Sequence, residues 1–115
     1  MNFKQKYTFK ERVLESSTVL EKYTDRIPIV CEKNSNSKNT PELDKHKYLV
    51  PNDLTVGQFI YVIRKRIQLP PEQGIFVFIS NIIPATSQLL CDLYFLYKDQ
   101  DGFLYITYST ENTFG

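Results

Sequence analysis

"DLTVGQFIYVIRKRIQL", residues 53–69, is the stretch on which the fold turns. Val56, Phe59, Ile60, Ile63 and Ile67 recur at spacings of three and four, which draws one apolar stripe along a helix. Thr55 and Gln58 have the spacing of a capping box, in which each side chain satisfies a backbone N–H at the other position. Leu54 and Phe59 stand where a hydrophobic staple fixes the chain's entry into the helix. Arg64, Lys65 and Arg66 fall in the last turn, where cations suit the negative end of the helix dipole. A helix apolar on one side needs a surface to cover, and the flanking sequence supplies strands.

On the N-terminal side, "KHKYLVP" (45–51) reads as a short strand stopped by Pro51. In "IPIVCEK" (27–33), Ile27, Ile29 and Cys31 alternate with Pro28 and Val30, the period of a strand. Pro28 has no N–H to donate, so this strand is not hydrogen-bonded throughout. Between the two, "NSNSKNTPELD" (34–44) is polar, aperiodic and contains Pro41, which predicts a flexible loop. In residues 2–26, Phe9, Val13, Leu20 and Tyr23 share a face at helical spacing, predicting one short and one longer helix.

Toward the C-terminus, the "PPEQG" turn precedes "IFVFIS" (75–80), an apolar run short enough to be a buried strand. Leu89, Leu90, Leu93 and Tyr97 mark another helix, "DQDG" (99–102) a turn, and "FLYITYS" (103–109) a final strand. The order helix, helix, strand, strand, helix, strand, helix, strand predicts an α+β fold. Its four-stranded mixed sheet carries the main helix across one face, a roll of β-grasp type.

The 115 residues suit one domain, and 42% hydrophobic against 23% charged residues is globular usage. A net charge of +1 gives no whole-molecule field to attract nucleic acid or acidic lipid. The chain has no 18-residue apolar run and no N-terminal apolar leader, and its two cysteines, Cys31 and Cys91, lie far apart. These features predict a reducing, cytoplasmic setting with both thiols acting as small hydrophobes.

Catalytic chemistry is hard to find. His46 is the only histidine, and with two cysteines it cannot close a tetrahedral zinc site without a carboxylate. The four glycines build no phosphate-cradling loop, so no cofactor is expected. Glu42 with Asp44, and Asp99 with Asp101, sit in polar turns and read as solvated carboxylates. What remains is surface. Lys45, His46 and Lys47 lead into "YLVP"; at a sheet edge, that strand would accept an extended peptide, with its lysines favouring acidic neighbours.

The blocks "YLVPNDLTVGQFIYVIRKRIQLPPE" (48–72), "DRIPIVCEK" (25–33), "DGFLYITYS" (101–109) and "ENTFG" (111–115) closely resemble the autophagy ubiquitin-like modifiers, the GABARAP-like proteins, over practically the full length. The resemblance implies a ubiquitin-like β-grasp core (27–109), a helical extension of two helices (1–26) and a flexible conjugation tail (110–115). It implies a conjugated tag rather than an enzyme. Gly115 would be activated by an E1-like enzyme, passed to an E2-like enzyme and joined to phosphatidylethanolamine. A cysteine protease of the pathway would expose that glycine and later remove the lipid. The protein would then be cytoplasmic, and on autophagosomal, vacuolar or lysosomal membranes when lipidated.

The resemblance also implies binding of cargo receptors and adaptors through peptides with an aromatic, two spacers and an aliphatic residue. The aromatic pocket would use Glu15, Val19, Pro28, Val30, Lys47, Leu49 and Phe103. The aliphatic pocket would use Tyr48, Val50, Pro51, Leu54, Phe59 and Val62. Lys45, Lys47 and Arg66 would meet acidic residues of the peptide. Phe76, Phe78 and Phe114 resemble aromatics that contact the processing and conjugating enzymes, although a core strand accounts for Phe76 and Phe78 nearly as well.

Four departures stand out. The 34–40 loop is one residue longer than is usual in the family, Thr24 stands where many members have proline, and Val19 where isoleucine is common. Phe95 and Leu96 replace polar residues, either as an extra partner surface or as an extension of the local core. The alternative reading of the whole chain is an unconjugated β-grasp module of vesicle trafficking, or one binding tubulin through Lys4, Lys6, Lys10 and Arg12.

Overall fold

The computed structural model describes residues 1–110. Within them the chain forms α1 (Phe3–Lys6), α2 (Phe9–Lys22), β1 (Arg26–Lys33), β2 (Lys47–Pro51), α3 (Val56–Arg66), β3 (Phe76–Phe78), α4 (Leu90–Tyr97) and β4 (Leu104–Ser109). This is the predicted order. The strands lie side by side as β2-β1-β4-β3, with β1 parallel to β4 and antiparallel to β2, and β3 antiparallel to β4. The sheet is therefore mixed, and β2 is one of its edges.

The capping box of α3 forms as its spacing predicts. Thr55 Oγ1 accepts from the Gln58 N–H at 3.2 Å, and Gln58 Oε1 accepts from the Thr55 N–H at 2.9 Å. Two more N–H groups at this end, those of Val56 and Gly57, donate to Gln88 O and Thr86 O, so the segment before α4 docks on the start of α3. Val56, Phe59, Ile63 and Ile67 are buried in one core with Ile27, Ile29, Cys31, Leu104, Ile106 and Tyr108. Burying each such aliphatic or aromatic side chain fully contributes about 1.5–3 kcal/mol.

The period of two along β1 divides the sheet's faces. Ile27, Ile29 and Cys31 join α3, whereas Val30 packs with Phe3 and Phe103 in a second, smaller cluster. The sheet thus has α3 on one face and α1 on the other, with α2 on the α1 side through the contacts below. Pro28 is accommodated because the ladder to β4 starts one residue later, at Ile29↔Leu104.

Two expectations from the sequence are corrected. The first concerns α2. Phe9 is exposed and Val13, Leu20 and Tyr23 are half-buried, while the buried positions are Arg12 and Ser16. Beneath them lies the 99–102 turn, whose polar groups demand partners. Arg12 Nη1 meets Asp101 Oδ2 at 2.5 Å, and Ser16 Oγ donates to Asp101 O at 2.5 Å. Asp101, only 1% exposed, also accepts from Tyr105 OH at 2.5 Å and from the Phe103 N–H at 2.9 Å. It is a buried, fully partnered carboxylate, not a solvated one. Burial, then the bond to Asp101, push the Tyr105 phenol's pKa up. Gly102 takes φ +91°, and a Cβ there would stand 2.4 Å from Ser16 Oγ, so glycine is what lets helix and turn approach.

The second correction concerns the 34–44 loop. Ser37, Thr40 and Leu43 are buried, and Tyr108 OH donates to Pro41 O at 2.7 Å. Ser37 and Thr40 bond Ser109 and Thr110 at the end of β4, which anchors the middle of the loop to the sheet.

Candidate functional site

The edge strand β2 presents its two faces to different helices. Lys47 and Leu49 lie on the α2 side, and Tyr48 and Val50 join the α3 core. On the α2 side a cavity of about 190 Å³ is lined by Glu15, Val19, Pro28, Lys45, Lys47, Tyr48, Leu49 and Phe103. Glu15 and Val19 come from α2, Pro28 from β1, and Phe103 from the turn before β4. Six of the seven residues expected in an aromatic pocket are brought together here. Val30 is not among the lining residues; it is wholly buried with Phe3 and Phe103. Within the cavity wall Lys47 Nζ pairs with Glu15 Oε1 at 2.5 Å.

The residues expected in an aliphatic pocket are divided. Phe59 is 1% exposed and meets Tyr48 edge-on at 5.5 Å between centroids, so both belong to the core, as does Val50. Leu54 and Val62 line a separate open cleft of about 660 Å³ with Gln58, Tyr61 and Thr86. Pro51 is exposed at the end of β2. A side chain entering on this face therefore meets a closed core surface beside an open cleft.

Tyr48 has one unusual feature. Its hydroxyl is buried and, among the described residues, has no hydrogen-bond partner. Burial, reinforced by Cys31 and opposed by Arg66, pushes its pKa up to about 12. An orphaned buried hydroxyl costs stability, so Tyr48→Phe is expected to stabilise the protein by about 1 kcal/mol, or about 4 °C in Tm. Thermal denaturation checks this, and a lowered Tm would mean that the hydroxyl has a partner.

The expected cations are already engaged. Lys45 Nζ stands 5.1 Å from the Tyr48 ring centre, and Arg66 makes a two-pronged pair with Asp44 at 3.2 and 3.1 Å. Exposed pairs of this kind contribute about 1 kcal/mol at most, so an incoming carboxylate can compete for Arg66. Phe76 is half-buried and Phe78 buried in β3. Phe114 and Gly115, with the rest of 111–115, lie outside the described residues. Phe95 and Leu96 are 79% and 68% exposed, so they face solvent and do not extend the local core. Of the basic group Lys4, Lys6, Lys10 and Arg12, Arg12 is buried against Asp101 and Lys4 pairs with Asp99 at 2.6 Å.

Cys31 is fully buried, and burial, then nearby Glu32, push its thiol up, away from nucleophilic character. Among the described residues no three metal-ligating side chains cluster, and no helix is long and apolar enough to cross a membrane. Sequence reasoning missed the Arg12–Asp101 pair and the buried hydroxyls of the 34–44 loop. The one available signal for the pair was Arg12 and Ser16 standing four apart on one side of a helix.

A four-stranded mixed sheet crossed by one helix, with two further helices at its N-terminal end, defines a ubiquitin-like protein. A family description, "Autophagy protein Atg8 ubiquitin like", matches residues 11–115. The chain is 57% identical over 114 residues to Autophagy-related protein 8 of Vanderwaltozyma polyspora, covering 99% of this chain and 96% of that protein. It is 56% identical over 113 residues to Autophagy-related protein 8 of Saccharomyces cerevisiae, covering 98% and 96%. The crystal structure of Trypanosoma brucei ATG8 superposes with a TM-score of 0.91 at 48% identity, covering 100% of this chain and 98% of that one. The chain belongs to the Atg8 family of autophagy ubiquitin-like proteins.

Proposed function

We propose that this protein is a GABARAP-like modifier, conjugated through Gly115 to phosphatidylethanolamine on autophagic membranes, and an adaptor for aromatic-x-x-aliphatic peptides of cargo receptors. The observation that carries the reading is the cavity between α2 and the free edge of β2, in a chain of the Atg8 family. A peptide adding as a strand beside β2 alternates its side chains between the two faces. Residues three apart then point to opposite faces. The aromatic enters between Glu15, Val19 and Leu49, while the aliphatic residue falls on the other face, beside Tyr48, Val50 and Leu54. The spacing of the motif and the alternation of β2 are thus the same geometry.

The chain in this reading is the substrate of catalysis and not its agent. E1-like and E2-like enzymes activate Gly115, a cysteine protease processes and delipidates it, and the partners' cysteines supply the nucleophiles. Two acyl chains anchor stably where one binds only marginally, at about 0.8 kcal/mol per buried methylene. The membrane affinity comes with the lipid, which moves the protein between cytoplasm and autophagosomal, vacuolar or lysosomal membrane.

Incubation with the pathway's E1-like and E2-like enzymes, ATP and phosphatidylethanolamine liposomes is expected to give a faster-migrating band with the mass of the lipid amide. No product from the unaltered chain overturns the conjugation reading. For the adaptor role, Lys47→Glu combined with Leu49→Ala is expected to weaken an aromatic-x-x-aliphatic peptide about tenfold or more, through a lost anchor contact and a reversed rim charge. Unchanged affinity by calorimetry removes this surface from consideration.

A further inference from the structure

The last strand, β4, ends at Ser109. The β1 ladder ends at Lys33↔Tyr108 and the β3 ladder at Phe76↔Ser109. Thr110 is held all the same, by a side chain. Thr40 Oγ1 accepts from the Thr110 N–H at 2.9 Å and meets Thr110 Oγ1 at 2.8 Å. Ser37 Oγ bonds Thr40 Oγ1 and lies 2.9 Å from Ser109 Oγ. Ser37 and Thr40 are 2% and 4% exposed, so the bonds between Ser37, Thr40 and Ser109 are buried and those to Thr110 are partly so. A hydroxyl has one proton to give and two lone pairs to fill, and Thr40 Oγ1 has three partners within reach of them. The loop itself is fixed to β4 by Asn34 N–H donating to Tyr108 O at 2.8 Å and by Tyr108 OH donating to Pro41 O.

We propose that Ser37 and Thr40 form a hydroxyl clasp that positions the root of the C-terminal segment for the enzymes acting on Gly115, an inference that rests on the conjugation proposed above. The clasp extends the hold on the chain by one residue past the end of β4, through side chains. With Thr110 fixed, the five residues that follow span at most about 17 Å, so the distance from the fold at which Gly115 can be offered is bounded. An enzyme that threads the tail then has less chain to order on binding, which acts on recognition and not on the chemical step. Ser37 and Thr40 are positioning residues, acting through Thr110.

Thr40→Val keeps the shape and removes the hydroxyl, and Thr40→Ser keeps the hydroxyl. In Thr40→Val the Thr110 amide is expected to exchange with solvent at least about tenfold faster. The substrate for kinetics is the chain extended by a short peptide beyond Gly115 and cleaved by the pathway's cysteine protease. KM is expected to rise about three- to tenfold with kcat within about twofold, while Thr40→Ser restores both values and affinity for the aromatic-x-x-aliphatic peptide stays level in both variants. Unaccelerated exchange, or a KM equal to that of the unaltered chain, overturns the clasp alone. An unaltered extended chain that the protease does not cleave sinks the conjugation reading and the positioning role with it.

Discussion

Arg12→Ala is expected to lower the stability of the fold by about 3–5 kcal/mol, because it strands the buried carboxylate of Asp101 without its countercharge. The size of the effect comes from asymmetry. With both partners present, the pair's attraction offsets the desolvation of each; with one removed, the remaining charge stays in the interior uncompensated. Asp101 is 1% exposed and cannot turn to water without opening the contact between α2 and the 99–102 turn. A domain of this length has a total stability of about 5–15 kcal/mol, so the loss is a large share of it. Urea denaturation measures the difference. The combination Arg12→Ala with Asp101→Asn is expected to lose much less than the two single losses summed, since no buried charge is then left alone. Additive losses would show that the two residues do not act as a pair.

Deletion of Gly115 is expected to abolish lipid conjugation completely while leaving peptide affinity within about twofold. In the function proposed above the two roles are separate in the chain: peptide binding is assigned to the cavity between β2, α2 and the Phe103 turn, and conjugation to the carboxyl end. After deletion the terminal residue is Phe114, whose bulk crowds the carbonyl carbon that a thiolate or lipid amine must approach, whereas glycine leaves it open. Gel migration with the reconstituted enzymes reads the first part and calorimetry the second. An undiminished lipid band after deletion would mean that another group carries the lipid.

Much of this architecture was legible because it is apolar and periodic. The α3 stripe from Val56 to Ile67 and the alternation of Ile27, Ile29 and Cys31 are patterns of hydrophobic burial, which sequence displays directly. β2 was recognisable as a short strand within 45–51 stopped by Pro51, and the structure places it, as Lys47–Pro51, at the sheet edge. What stayed hidden was polar. Arg12 and Ser16 sit on the buried side of α2 because a carboxylate and a carbonyl 85 or more residues away need donors, and no local period encodes that need. Ser37 and Thr40 likewise read as loop residues until β4 brings Ser109 and Thr110 to them. Val30 was placed in the aromatic pocket by likeness alone; its side chain faces Phe3, and α1 covers it.

The polar seat of α2 has a mechanical meaning for the groove beside it. Apolar helix faces tolerate sliding, since one methyl contact replaces another, but an ion pair and a hydroxyl bond four residues apart hold only in one register. Glu15 and Val19 stand on the flank next to Arg12 and Ser16 and form one wall of the 190 Å³ cavity, with Leu49 in the wall opposite. The turn at Asp101 therefore acts as a gauge block: it sets how wide the slot is and, under the adaptor role proposed above, what size of ring would fit, without touching the ring itself.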